Sequence, residues 1–327
     1  MLARVSTVLE CSRVFSLPMT IMSWLVVFTY ALLGSGRISY GILALIGISF
    51  AHLGTNVLDD YFDYKTLIKQ KDFDKKEYLK NAQKTKCRYI LTGMIKEWQV
   101  LMIAAIYMFI ACIIGLFFYI KCGNWVLYFA LFGGLIGLSY SFLSKIRLSE
   151  VAVALAYGPI LFGGVYFVMT KTLTPDVFIL SIPTMIMTVI LLYIHTVMDY
   201  DFDLNEGHLT IANTFNSRLD SLIVLKIFLI LAYISPILLC IFDIADWQVF
   251  FVYLTIPLAV DLYKSMVDYS VEPESVPPKK WFHFPMENME MFRKMGAEAF
   301  MIRMYQSRNL MGYFALIISI ALLLEAI

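Results

Sequence analysis

The feature that most limits this chain is a repeated one: runs of about 20 apolar residues, closed at both ends by charge or turn residues, the length an α-helix needs to cross the hydrocarbon of a bilayer. Nine such runs occur, at 15–34, 38–58, 98–120, 125–144, 151–170, 177–198, 222–242, 247–266 and 308–326. Each is expected to be helical, because a backbone in lipid must satisfy its own polar groups. With 60% of its 327 residues hydrophobic and 16% charged, the chain is too apolar for an ordinary soluble domain. Its many Phe, Tyr, Leu and Ile side chains exclude a disordered or collagen-like chain. The expected fold class is all-α: a polytopic membrane protein, one transmembrane domain over 1–327 with nine helices.

Short links such as Gly34-Ser35-Gly36-Arg37 and Lys121-Cys122-Gly123-Asn124 make neighbouring spans antiparallel. Pro159, Pro183, Pro236 and Pro257 fall inside spans, where kinks are tolerated because neighbouring helices re-satisfy the freed carbonyls. Basic loops stay on the cytoplasmic side. Placing the N-terminus inside puts every Lys and Arg there except Arg37, Lys121 and Lys171, with Lys226 in the first turns of the seventh span near the inner face. The expected location is thus the cell membrane, with the N-terminus and two long loops, 64–97 and 268–307, in the cytoplasm. Glu10 and Arg13 precede the first run and no small-residue cleavage site follows it cleanly, so it reads as a retained span.

Loop 64–97 reads as a solvated stretch with a short helix, lying over the active site. Loop 268–307 opens on a Pro-rich segment that cannot be helical throughout. It continues through Met286–Gly296 as a Met-rich candidate for an amphipathic surface helix, with a plain linker as the alternative. The five cysteines lack metal or redox spacing and read as reduced core thiols. A net charge of +1 carries no nucleic-acid footprint, so no such partner is expected.

The chemistry lies in two acidic clusters. In Asn56-Val57-Leu58-Asp59-Asp60-Tyr61-Phe62-Asp63, at the inner end of the second span, Asn56, Asp60 and Asp63 are spaced i, i+4, i+7 and share a helical face, with Asp59 at its border. In Asp199-Tyr200-Asp201-Phe202-Asp203, at the inner end of the sixth span, Asp199 and Asp203 share a face and Asp201 points elsewhere. The clusters sit at one depth on helices four apart in order. That spacing suggests two four-helix halves plus one helix, each half delivering acids to a central cavity. Mutual repulsion and partial desolvation disfavour so many carboxylates at a membrane boundary, and a bound cation would resolve the conflict. Magnesium is typically held by one or two carboxylates together with substrate phosphate oxygens, so facing clusters suit a pair of ions on a diphosphate. The bland reading, Asp residues that merely cap helices or solvate the interface, explains one such residue better than two phased clusters.

These residues resemble the UbiA superfamily of intramembrane prenyltransferases, whose nine-helix members carry an Asn/Asp-rich motif after the second helix and an Asp-x-x-x-Asp motif after the sixth. Arg13-Val14-Phe15-Ser16-Leu17-Pro18 resembles the family's opening segment, and Arg88 to Gly93 the stretch before its third helix. Tyr140-Ser141, and Leu148-Ser149-Glu150-Val151 with Gly158-Pro159, look like the branch that prenylates 1,4-dihydroxy-2-naphthoate for menaquinone. The resemblance implies a magnesium-dependent enzyme that ionises a polyprenyl diphosphate in the lipid bilayer and joins the carbocation to an electron-rich aromatic acceptor. It implies catalytic roles for Asn56, Asp60, Asp63, Asp199 and Asp203, with Asp60, Asp63, Asp199 and Asp203 as ligands of two Mg2+ ions, Asp59 as a further ligand and Asn56 as a ligand or diphosphate contact. Arg13, Arg88 and Lys145 become candidate anion contacts, and Tyr140 a ring facing the cation; each has positive-inside anchoring or interfacial packing as its alternative.

The chain also departs from the pattern. Asp59-Asp60 stands where Asn-Asp is frequent, the Gly-x-Asp that commonly follows is missing, and Asp72 and Asp74 lie displaced downstream. Gly207-His208-Leu209-Thr210 replaces a common Gly-Lys-Arg-Thr, leaving Arg218 or the lysines of 65–71 as possible substitutes for the lost cations. His195, on an apolar helix, reads as a hydrogen-bonded packing residue. Haem farnesylation, glycerolipid prenylation and terpene cyclisation stay open within the family. Asp59-Asp60-x-x-Asp63 also fits the motif of soluble isoprenoid synthases; nine spans argue against that fold, though not against its magnesium–diphosphate chemistry. A secondary transporter is the rival outside the family, since intramembrane acids also mark ion pathways.

Overall fold

A computed structural model describes residues 5–70, 73–80, 87–206 and 209–325; Lys71, Asp72, Gly207 and His208 lie outside them. Among the described residues nine helices are long and apolar enough to cross a membrane: α1 (Val14–Leu33), α2 (Ile38–Leu67), α3 (Glu97–Cys122), α4 (Trp125–Leu143), α5 (Ser149–Thr170), α6 (Pro175–Met198), α7 (Arg218–Ile241), α8 (Trp247–Val271) and α9 (Glu298–Glu325). The chain is therefore an all-α, multi-pass membrane protein.

Two helices outrun the apolar runs that announce them. α2 continues nine residues past 58 to Leu67, so that the whole first acidic cluster is helical. Its 30 residues rise about 45 Å, well beyond a hydrocarbon core of about 30 Å, and its last turns carry charge because they leave the lipid. α9 begins at Glu298 rather than near 308. Its early charges are satisfied inside the protein: Arg303 is fully buried and donates to the carbonyls of Ser265, Ser275 and Ala299 at 2.7–2.9 Å, over the ring of Tyr269.

α6 lies deepest, packed on α7, α9, α5 and α1, while α2 runs along α3 and also meets α1 and α4. α9 closes the bundle against α1, α6 and the first half of α8. The main core is built from Val26, Val27, Leu180, Ile190, Ile194, Leu225, Leu262 and Phe314, all buried. α3 and α4 leave most of their apolar surface outside the protein, as lipid-facing helices do. Cys112 is exposed on α3, whereas Cys11 and Cys87 are buried; none of the five is in a disulfide. Cys112 is thus no core thiol, contrary to the expectation from sequence.

The proline expectations divide. At Gly158-Pro159 the helix loosens into a π turn over Ala156–Ile160, with Gly158 at φ −94 and ψ −109. A Cβ at Gly158 would stand 2.7 Å from Met185 Sδ on α6, so the missing side chain lets the two helices close. α8 starts as nine residues of 3-10 helix and becomes α-helical at Ile256, beside Pro257. Pro183 and Pro236 sit within helices.

Between α8 and α9 the chain forms a strap. The expected amphipathic helix over 286–296 is only six residues long, Met289–Lys294. Left-handed Asn288 (φ 57) and Gly296 (φ 72) bound it. Arg293 grips Glu298 through two bonds of 2.7 and 3.0 Å, and Lys279 reaches the same carboxylate at 2.8 Å, so the segment is tied to α9 rather than laid out on a surface.

Candidate active site

The first cluster is held by a polar stripe along one face of α2. His52 begins it. Ser16 Oγ donates to Arg13 O at 2.8 Å. A hydroxyl has one proton, so Ser16 must accept from His52 Nε2 at 2.8 Å and from Asn56 Nδ2 at 3.0 Å. His52 Nδ1 is then the acceptor, its one lone pair facing the hydroxyls of Thr20 at 2.5 Å and Tyr157 at 2.9 Å, one of which donates to it. Asn56 also donates to Ser12 O at 3.3 Å. These bonds brace a left-handed turn at Arg13 (φ 52, ψ 49), which aims its guanidinium at the acids: Arg13 pairs closely with Asp60 and stands 3.4 Å from Asp59. Asp59 and Asp60 are buried, 5% and 1% exposed. Tyr89 donates to Asp60 Oδ2 at 2.7 Å and Cys87 Sγ to Asp60 O at 3.2 Å. Burial raises the Tyr89 phenol well above its usual value, which keeps it a donor.

Asp63, one turn on, faces a different space. A cavity of about 150 Å³ is lined by Asp63, Tyr140, Lys145, His195, Asp199 and Asp203, with Thr66, Gln70, Ser144, Ser149, Thr196 and Thr210 among its other polar walls. Ser141 donates to Asp63 Oδ1 at 3.2 Å, and Lys145 Nζ lies 3.4 Å from the same oxygen and 3.5 Å from Thr66 Oγ1. Across the cavity, Asp199 follows directly on the last residue of α6, and the turn beyond it brings Asp203 round through Asp203 N to Asp199 O at 2.8 Å. The wall after the second cluster is fixed to the α4–α5 link, where Arg147 N donates to Leu209 O at 2.8 Å.

Of the residues singled out in the sequence, the structure gathers Asp63, Asp199, Asp203, Tyr140 and Lys145 in one cavity. Asn56, Asp59, Asp60 and Arg13 form the adjoining buried network instead, and Arg88, in the short helix Arg88–Leu91, is not among the lining residues. Asp201 points away, 69% exposed and paired with Arg218 at 2.5 Å. That pairing, and the Lys65–Glu97 pair, engage two of the cations considered as replacements for the missing Lys-Arg. His195 keeps the expected polar and packing contacts, with Nδ1 3.4 Å from Asp199 Oδ2 and its ring against Phe300 of α9, but makes them from the cavity wall, its side chain 42% exposed. Sequence reasoning also passed over His52, although 52, 56, 60 and 63 continue one helical face, and Tyr89, whose role depends on a fold-back that no local spacing encodes.

A polar cavity at the ends of membrane spans, reached by helices from both parts of the chain, belongs to the polytopic intramembrane enzymes; ion pathways instead place their acids near the midplane. Within that class the sequence decides: residues 18–288 match the UbiA prenyltransferase family, and the chain belongs to it. It is a prenyltransferase, which sets the transporter reading aside. Solved structures show the same fold at low sequence identity. A chain from work on digeranylgeranylglyceryl phosphate synthase aligns at 16% identity and TM-score 0.59, over 97% of this chain and 98% of that one. An apo UbiA homologue from Aeropyrum pernix K1 aligns at 13% and 0.57, over all of both chains. A UbiA homologue from Archaeoglobus fulgidus, bound to DMAPP and Mg2+, aligns at 12% and 0.53, over 93% of this chain and 98% of that one. Comparison with curated proteins found no match.

Proposed function

We propose that this enzyme transfers a polyprenyl group from its diphosphate to an aromatic quinone precursor resembling dihydroxynaphthoate, in a reaction that needs Mg2+. The observation that carries the reading is the meeting of Asp63 with Asp199 and Asp203 around one cavity that also holds Lys145. The donor set fits the ion: the acids and the Ser and Thr hydroxyls offer oxygen alone, as Mg2+ prefers. Among the described residues no three His, Cys, Asp or Glu side chains cluster tightly enough to hold a metal by themselves. That accords with an ion completed by water and substrate phosphate, and the A. fulgidus homologue is bound to both Mg2+ and DMAPP. Asp63, Asp199 and Asp203 would hold the metal; Asp59 and Asp60 would join them only if Arg13 moved from their carboxylates.

When bound, Mg2+ would supply the positive charge that stabilises a departing diphosphate. The chain's own residues do the rest. Lys145 offers a second cation to the diphosphate oxygens, and Ser141 and Thr66 hold Asp63 and Lys145 in register. Tyr140 lines the space in which the allylic carbocation would meet the acceptor, where an aromatic ring stabilises positive charge. The apolar tail would lie toward the bilayer, and the distribution of Lys and Arg among the loops supports a cavity opening on the cytoplasmic side of the cell membrane.

The test is purified protein in lipid with labelled polyprenyl diphosphate, with and without Mg2+, against dihydroxynaphthoate, hydroxybenzoate, haem and a prenylglyceryl phosphate. Mg2+-dependent prenylation of dihydroxynaphthoate is expected. Transfer to another acceptor alone would overturn the acceptor assignment, and unchanged turnover in chelator would overturn the metal.

A further inference from the structure

Glu150 is a buried acid that nothing so far explains. It is 3% exposed, in the first turn of α5. Its Oε2 accepts from Ser149 Oγ at 2.7 Å, while its Oε1 is buried with no hydrogen-bond partner among the described residues. Buried carboxylate oxygens are rarely left in that condition, since desolvation is costly and the fold alone does not offset it here. Through that bond Glu150 stands beside Ser149, a residue of the cavity wall, and Asp203, also in that wall, is among the charges that act on it.

The bond has a chemical consequence for Ser149, which does line the cavity. Its single proton is committed to Glu150, so its oxygen can present only lone pairs to whatever occupies the space. Asp203 and Asp199 beside it are likewise acceptors when ionised. The cavity is therefore two-sided: Lys145 offers a cation on the α4 side, and the Ser149 side seeks a donor. A diphosphate, whose oxygens only accept, suits Lys145 and a metal held by Asp199 and Asp203, but is mismatched to Ser149 Oγ, which has no proton left to give it.

We propose that Ser149, held by Glu150, is the subsite that recognises a hydroxyl on the prenyl acceptor, the acceptor's O–H donating to Ser149 Oγ. Ser149 touches the substrate and determines specificity; Glu150 acts through it as a positioning residue. This rests on the prenyl-transfer reading above and adds to it the group by which the acceptor is held. A site built to accept a hydrogen bond discriminates strongly against an analogue that lacks the donor, so the enzyme should tell a hydroxyl acceptor from its methyl ether.

The experiment compares, in full-length protein in lipid, the acceptor that the wild type uses with the same acceptor O-methylated. The wild type should prefer the free hydroxyl by at least about tenfold in kcat/KM. Ser149→Ala and Glu150→Leu should both reduce that preference to near unity, mainly through the acceptor's KM, with the KM for prenyl diphosphate unchanged. Glu150→Gln, whose amide oxygen can still accept from Ser149, should retain most of it. A structural defect would move both KM values together and would not be rescued by Gln. Should Glu150→Leu fail to fold, Ser149→Ala, which removes little more than an oxygen, decides alone. Undiminished preference in Ser149→Ala, or a parallel rise in the diphosphate KM, overturns the subsite. The two readings fail separately: if only the prenylglyceryl phosphate is prenylated, the aromatic assignment falls, and the same comparison is made with that alcohol and its ether.

Discussion

Asp63 and Asp60 lie three residues apart on one helix and have different surroundings, and mutation should separate them. Asp63→Asn and Asp199→Asn should each lower turnover by about 10²–10³-fold, the usual cost of removing a charge placed for the transition state, with unchanged thermal unfolding. Asp201→Asn, which removes an exposed partner of Arg218, should stay within a few-fold of wild type; comparable losses for all three in an initial-rate assay would refute the assignment. Tyr89→Phe leaves Asp60 Oδ2 short of a donor in a buried site and should cost about 1–3 kcal/mol of stability, read as a lower unfolding temperature. His52→Ala should act at a distance. With Ser16 and Asn56 released, the turn at Arg13 loses its brace, and turnover should fall although His52 is not among the cavity's lining residues; full activity in a folded His52→Ala protein would show that the brace is dispensable.

At the level of the helix, the sequence was legible where lipid sets the rules and opaque where the protein itself supplies the polar environment. Apolar runs located all nine spans, because hydrocarbon admits little else. They ended α2 at its first acids and began α9 after Arg303, since a charge looks like a boundary until its partners are known. Those partners, Tyr89 for Asp60 and Ser265 with Ser275 for Arg303, come from far along the chain. The acid clusters were readable from helical periodicity; which acids face a cavity was not, because Asp60 and Asp63 differ only in what packs against them. The π turn at Gly158 is another such case, and Gly158→Leu should force α5 away from Met185, destabilising the protein by about 1–3 kcal/mol in thermal unfolding. The strap should respond to acid. Burial lowers the pKa of His283 from 6.5, against the opposing pull of Asp261, so the unfolded chain takes up a proton at higher pH than the folded one. The stability due to a neutral His283 is then complete above about pH 6.5 and is lost as pH falls below it. Hydrogen exchange in the strap should rise on acidification, and His283→Gln should flatten that dependence.

For the molecule as a whole, orientation is the property to measure next. Basic side chains crowd one end of the bundle, and the proposed topology places Glu274 in the cytoplasm and Thr172 outside. A membrane-impermeant thiol reagent applied to sealed cells should label Thr172→Cys and spare Glu274→Cys until the membrane is opened; the reverse pattern would invert the protein.

α9 adds an element of timing. It leaves the ribosome after the eight spans before it, yet it packs against the first and the sixth and sets Phe300 against His195, a residue of the cavity wall. A growing chain with those eight helices already inserted therefore carries both acid clusters while α1, α6 and the His195 ring still lack their contacts with α9. Chemistry that releases a carbocation tolerates such a gap poorly, since water would capture the product. The order of synthesis thus leaves the packing behind His195 incomplete until α9 has docked.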